Sequence, residues 1–177
     1  MKMTELFLAE LEREIPATRR VLERVPEGKN DWKPHDKSMT IGYLAALVAS
    51  MFGWIGMTVN QDHLEFKAGN SEYSTKPQAT RAELLNLLDR SVAEARAALA
   101  NTSDEHLLKP WSMVVDGRVV YEQPRHIVLR DSVFNHLAHH RGQLTVYLRL
   151  TNASVPEVYG PTADEGRFEP VRTGTNG

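Results

Sequence analysis

The chain has 177 residues, no cysteine, and 21 lysines and arginines against 23 aspartates and glutamates, for a formal net charge of −2. With 41% hydrophobic residues, that length suffices for one sizeable core and falls short of two independent domains. The interspersed charge offers no basic stripe for phosphates, so no nucleic-acid partner is expected; without cysteine, disulfides, thiolate nucleophiles and thiolate metal sites are excluded, any metal must be held by imidazole or oxygen, and the composition is compatible with a cytoplasmic location.

The start of the chain reaches an acid at Glu5 and has no extended apolar core, so it does not read as an export signal. From Thr4 to about Val25, the positions Leu6, Phe7, Leu8, Leu11, Ile15, Val21, Leu22 and Val25 predict an amphipathic first helix with a kink at Pro16. Residues 26–37, dense in proline, glycine and charge, read as a loop in which Trp32 packs on the bundle and His35 faces solvent. A second helix starts at Ser38 or Thr40 and carries Ile41, Leu44, Leu47, Val48, Met51, Phe52 and Ile55. The run from Ser38 to Gln61 has no charged side chain and is long enough to cross a bilayer. Gly42, Ser50, Gly53, Gly56 and Asn60 dilute it, so a helix buried in protein is expected rather than a membrane span. A second apolar face on this helix, with Met51, Trp54 and Met57, predicts a homodimer.

Asn60 to Gln78 reads as a polar loop with His63 on the surface. Thr80-Arg81-Ala82-Glu83 is a capping box opening a third helix through Leu84, Leu87, Leu88, Val92 and Ala95 to about Ala100. The β-rich runs Trp111–Val115 and Arg118–Glu122 flank Asp116-Gly117, a hairpin signal, and the hairpin is expected as an insertion between helices. Pro124 then opens the last long helix, to about Thr151. A single domain is expected over residues 1–168, with a polar, disordered tail at 169–177.

Within the last helix, His136 and His140 stand four residues apart, so their imidazoles differ by about 40° around the axis, one turn apart. They share a stripe with Leu129, Val133, Leu144 and Tyr147, which places them toward the core. Spacing alone is a weak sign of a metal site. Placement adds weight: two imidazoles on an apolar face need partners, and an ion would serve both. His139 falls about 80° from the centre of the pair and reads as a rim residue, while Asp131 lies on the far side of the helix.

The stretches VPEGKNDWKPHDKSMTIGYLAALVASMFGW from Val25, NHLAHHRGQLTVYLRL from Asn135 and VPEVYGPTADE from Val155, spread over nearly the whole chain, resemble the DinB-like (YfiT-like) family of metal-dependent bundle enzymes. The resemblance implies an all-α four-helix bundle, here with a small β-hairpin before the last helix, and usually a dimer. It also implies a divalent ion such as zinc or nickel held by three histidines. His136 and His140 match two of them. Where the family's second helix carries the third, this chain reads Leu44-Ala45-Ala46-Leu47-Val48-Ala49, so the third position is Leu47, which has no lone pair to offer. His63, sixteen residues on, and His35, in the preceding loop, are not placed to replace it.

Two functions follow from the resemblance. One is a metal-dependent transferase or hydrolase, acting on a thiol cosubstrate or water, with His136 and His140 as ligands and no assignable general base. The other, favoured by Leu47, is a degenerate-site bundle that binds a small molecule or has a stress-associated role, with any ion weakly held. Its pocket would be formed by Leu47, Gln143 and Tyr147, with the imidazoles satisfied by water, by Gln143 or by each other.

Overall fold

The computed structural model describes residues 1–67 and 75–166; the polar tail expected at 169–177 lies outside them. Helix α1 (Met3–Glu23) buries Phe7, Leu11, Val21 and Leu22 and contains Pro16. Its first amides are capped from a distance, Met3 and Thr4 donating to the Asp104 carboxylate at 2.9 and 3.0 Å. Those two bonds hold the Asp104 carboxyl below its ordinary pKa. The capping residue opens a short helix, α5 (Asp104–Leu107).

The expected second helix is two helices. Helix α2 (Ile41–Ser50) is capped by Thr40, whose hydroxyl accepts from the Tyr43 amide. Helix α3 (Gly53–Asn60) follows at a 50° bend, and no single helix among the described residues is long and apolar enough to cross a membrane. Two of the glycines that dilute this run face Glu94. A Cβ on Gly53 would come within 3.1 Å of Glu94 Oε2 and one on Gly56 within 3.7 Å of the Glu94 carbonyl, both on helix α4 (Arg81–Ala100). The Thr80–Glu83 capping box opens α4 as expected, with Thr80 Oγ1 accepting from the Glu83 amide and Glu83 Oε2 from the Thr80 amide, both at 3.2 Å.

The apolar face assigned above to a subunit contact is partly covered within one chain, with Trp54 and Met57 half-buried. Met51 is fully buried in the main core, Met57 packs against Leu64 and Trp111, and the Trp54 ring meets the His136 ring at 5.6 Å. The bend turns the end of the helix toward the molecule's own sheet.

That sheet is the main departure from an all-helical bundle with a lone hairpin. Strands β2 (Pro110–Val115) and β3 (Arg118–Pro124) form the hairpin, with Asp116 (φ 48°) and Gly117 (φ 73°) both left-handed, as a type I′ turn requires. Met113 pairs with Tyr121 and Val114 with Val119, which leaves Val120 as a bulge. A third strand, β1 (His63–Phe66), lies in the stretch expected to be loop and runs parallel to β2, Leu64 beside Met113. Its alternation is physical: Leu64 is buried while His63 and Glu65 are exposed.

Arg125 fastens the sheet to the helices. It is 1% exposed, and its guanidinium donates to the carbonyls of Thr58 (3.1 Å), Gln61 (3.1 Å) and Pro110 (2.5 Å) and to Asp62 Oδ1 (2.5 Å). It begins the final helical run: α6 (Arg125–Val128), a π-helical stretch over Leu129–Asn135, and α7 (His136–Leu150). Pro124 is the cap of this run. The main core joins α1, α2, α3, α4 and α7. Leu64, Trp111 and Val128 form a second, smaller apolar cluster between sheet and helices.

Candidate functional site

The π-helical stretch ends where the histidine pair begins, a kind of irregularity that recurs at functional sites. Its effect here is local. The His136 backbone amide bonds to the Val133 carbonyl, and the imidazole of His136 hydrogen-bonds to the Ser132 backbone. One turn on, His140 is 8% exposed, and its Nε2 lies 2.8 Å from His136 Nε2. Its other nitrogen, Nδ1, lies 2.8 Å from Gln143 Oε1, and Gln143 Nε2 lies 3.0 Å from Nε2 of the exposed His139.

The protons decide what this chain of rings can do. With the Gln143 amide oriented this way, His140 donates from Nδ1 and His136 donates to the Ser132 carbonyl. The two facing Nε2 atoms then both present lone pairs, and 2.8 Å between two acceptors is favourable only with a hydrogen or another electrophile at that point. Turning the amide end for end makes His140 Nε2 a donor to His136, and the series His139, Gln143, His140, His136, Ser132 becomes neutral and fully paired. Gln143 therefore sets which face His140 presents. Burial, then the neighbouring His140, pushes the His136 pKa below its ordinary 6.5, which favours its neutral form.

The pair borders a cavity of about 450 Å³. The helical wall is Tyr43, Leu47, Val133, His136 and His140, with Met39 from the segment before α2; the sheet wall is Leu64, Phe66, Trp111 and Met113; Trp54, Met57 and Val128 also line the cavity. Thr58, Thr75 and Ser132 add neutral polar groups, and the described lining residues include no Asp, Glu, Lys or Arg. Leu47 thus shares the cavity with both histidines. Gln143 and Tyr147 do not line it. Gln143 supports His140 from behind, and Tyr147, nearly two turns beyond His140, packs edge-on against Trp32 at 5.5 Å and donates to the Met39 carbonyl at 3.3 Å. His35 and His63 are exposed, and Asp131, also exposed, accepts from Asn135, so neither histidine joins the site and no general base comes from Asp131.

The DinB family model matches residues 1–172. The chain belongs to the DinB family. YrdA of Bacillus subtilis (strain 168), an uncharacterised protein, is 27% identical to it over 162 residues, which are 90% of this chain and 89% of YrdA. Three crystal structures share the fold. A DinB-like protein of Bacillus cereus ATCC 10987 has a TM-score of 0.66 at 19% identity, with 88% of this chain and 97% of that one covered. For YjoA, a DinB-like protein of Bacillus subtilis, the values are 0.64 and 17%, with 86% and 96% covered; for a DinB-family member from Exiguobacterium sibiricum 255-15 they are 0.61 and 15%, with 89% and 97% covered.

For a DinB-family chain the donor set can be tested directly. Among the described residues no three of His, Asp and Glu are placed to hold one ion; two imidazoles and a leucine do not fit a tightly held, three-ligand ion. Sequence reading had missed the sheet wall. Leu64 and Phe66, and Trp111 and Met113, are pairs two residues apart, the period-2 signal of one strand face.

Proposed function

We propose that this DinB-family chain is a small-molecule-binding protein whose working part is the cavity rather than a tightly held ion. The observation that carries the reading is Leu47 on the same wall as His136 and His140. A leucine there adds apolar surface where a third imidazole would add a donor. The cavity falls within the size range of small-ligand sites and is mostly apolar with a few polar groups, as such sites are. Calorimetric titration of chelator-dialysed protein with naphthalene derivatives is the test. Saturable one-to-one binding with a negative heat-capacity change is expected, and absence of binding by every member of the series would overturn the reading.

One observation favours a second reading, weak binding of a divalent ion such as zinc or nickel. In one orientation of the Gln143 amide the two Nε2 lone pairs converge at 2.8 Å, an arrangement an electrophile would relieve. Two protein ligands leave the rest of the coordination shell to water, so such an ion would exchange readily. The homodimer also remains a proposal, and α7 offers a different surface for it: Val146 and Leu150, one turn apart, are 56% and 55% exposed. Sedimentation of a Val146→Glu, Leu150→Glu variant tests that contact, with a shift from dimer to monomer expected.

A further inference from the structure

We infer that the cavity's ligand is a neutral aromatic molecule bearing a hydroxyl group, a phenol or naphthol in chemical class, with the hydroxyl at His136 and His140; this rests on the reading of the cavity as a small-molecule site. Three observations converge. The first is charge: with no Asp, Glu, Lys or Arg among the described lining residues, a carboxylate, phosphate or ammonium would lose its hydration and gain no countercharge from them, a large penalty. Charged ligands are disfavoured.

The second is the character of the walls. Tyr43, Trp54, Phe66 and Trp111 line the cavity together with the thioethers of Met39, Met57 and Met113. Aromatic edges and faces, together with polarisable sulfur, pack most favourably on a flat ring.

The third is the adjustable hydrogen bonding of the histidine pair. With His140 Nδ1 donating to Gln143 and His136 donating to Ser132, two Nε2 lone pairs meet at one point. A ligand hydroxyl hydrogen accepted by one Nε2 favours this orientation over the self-paired one. Among neutral groups an aryl hydroxyl is a strong donor, and the neutral imidazole is its natural acceptor.

The test is a matched ligand series on the full chain after dialysis against chelator: 2-naphthol, naphthalene and 2-naphthoate, titrated calorimetrically at neutral pH. The naphthol should bind about tenfold more tightly than either of the others. In a His136→Leu, His140→Leu variant its advantage over naphthalene should fall to about onefold. Equal affinity for naphthol and naphthalene in the wild type would overturn the assignment of the hydroxyl while leaving the cavity as a binding site. So would equal or tighter binding of naphthoate, or a preference that survives in the variant. If none of the three binds, the small-molecule reading itself fails. Should the variant not fold, the wild-type series decides alone.

Discussion

His140 and Arg141 are neighbours in α7 and both are nearly sealed from solvent, at 8% and 1% exposure, yet they point about 100° apart and meet different surroundings. Arg141 is enclosed by its own partners: Glu14 Oε2 at 2.6 Å, Thr18 Oγ1 at 2.8 Å, and the Tyr159 hydroxyl, which also bonds to Glu14. That cluster ties α7 to α1 and draws in the chain after α7, and it borders none of the cavity. His140 instead shares a reversible chain of hydrogen bonds with His136 and Gln143 beside open space. Burial of a polar side chain therefore does not by itself mark function. A closed network fixes the fold, while a network with an adjustable proton pattern next to a void can accept a ligand.

The largest effect should come from breaking the closed side. Arg141→Met leaves the Glu14 carboxylate buried without its partner and should cost about 3–5 kcal/mol in chemical denaturation. Its neighbour His140→Leu should cost far less, and a comparable loss at both sites would erase the distinction. Next in size is Gly117→Val. The turn needs a positive φ that valine adopts only under strain, at about 1–3 kcal/mol. Far-UV helicity should persist while tryptophan fluorescence changes, because Trp111 lies on the hairpin that forms the cavity wall.

The smallest effect concerns pH. The folded pKa of His136 lies below the unfolded value of 6.5, so the unfolded chain takes up this proton first as pH falls. The stability present above pH 6.5 should decline below it, then level off once the folded form is protonated as well. His136→Leu should flatten that slope in melting temperature measured against pH. A separate decline at lower pH belongs to carboxylates whose pKa is depressed by partners, Glu12 with Arg96 and Asp164 with Arg149 among them, and should survive the substitution.

The two sides of α7 were not equally legible in the sequence. Local signals with a mechanism can be read directly: the Thr80 and Glu83 capping box, the Asp116-Gly117 turn, and the four-residue spacing of the histidines all work through neighbours in the chain. Features set by distant packing left little trace. The break between α2 and α3 contains no proline, and the π-helical stretch at Leu129–Asn135 has neither proline nor glycine. Strand β1 offers only four alternating residues inside a polar stretch, too few to separate from loop without the β2 edge it pairs with. The cavity depends on all three, so its walls were the least visible part of the site. Leu47 was the exception, because family resemblance gave that position a meaning its own chemistry does not.

Zinc titration of tag-free protein, wild type beside Leu47→His, measures the consequence of that leucine most directly. The wild type should bind zinc weakly, without a sharp one-to-one endpoint, and Leu47→His should raise the affinity by about two orders of magnitude or more by supplying a third imidazole. Tight stoichiometric binding by the wild type, unchanged in Leu47→His, would contradict the account: a third ligand would then exist, and the cavity would be a metal centre.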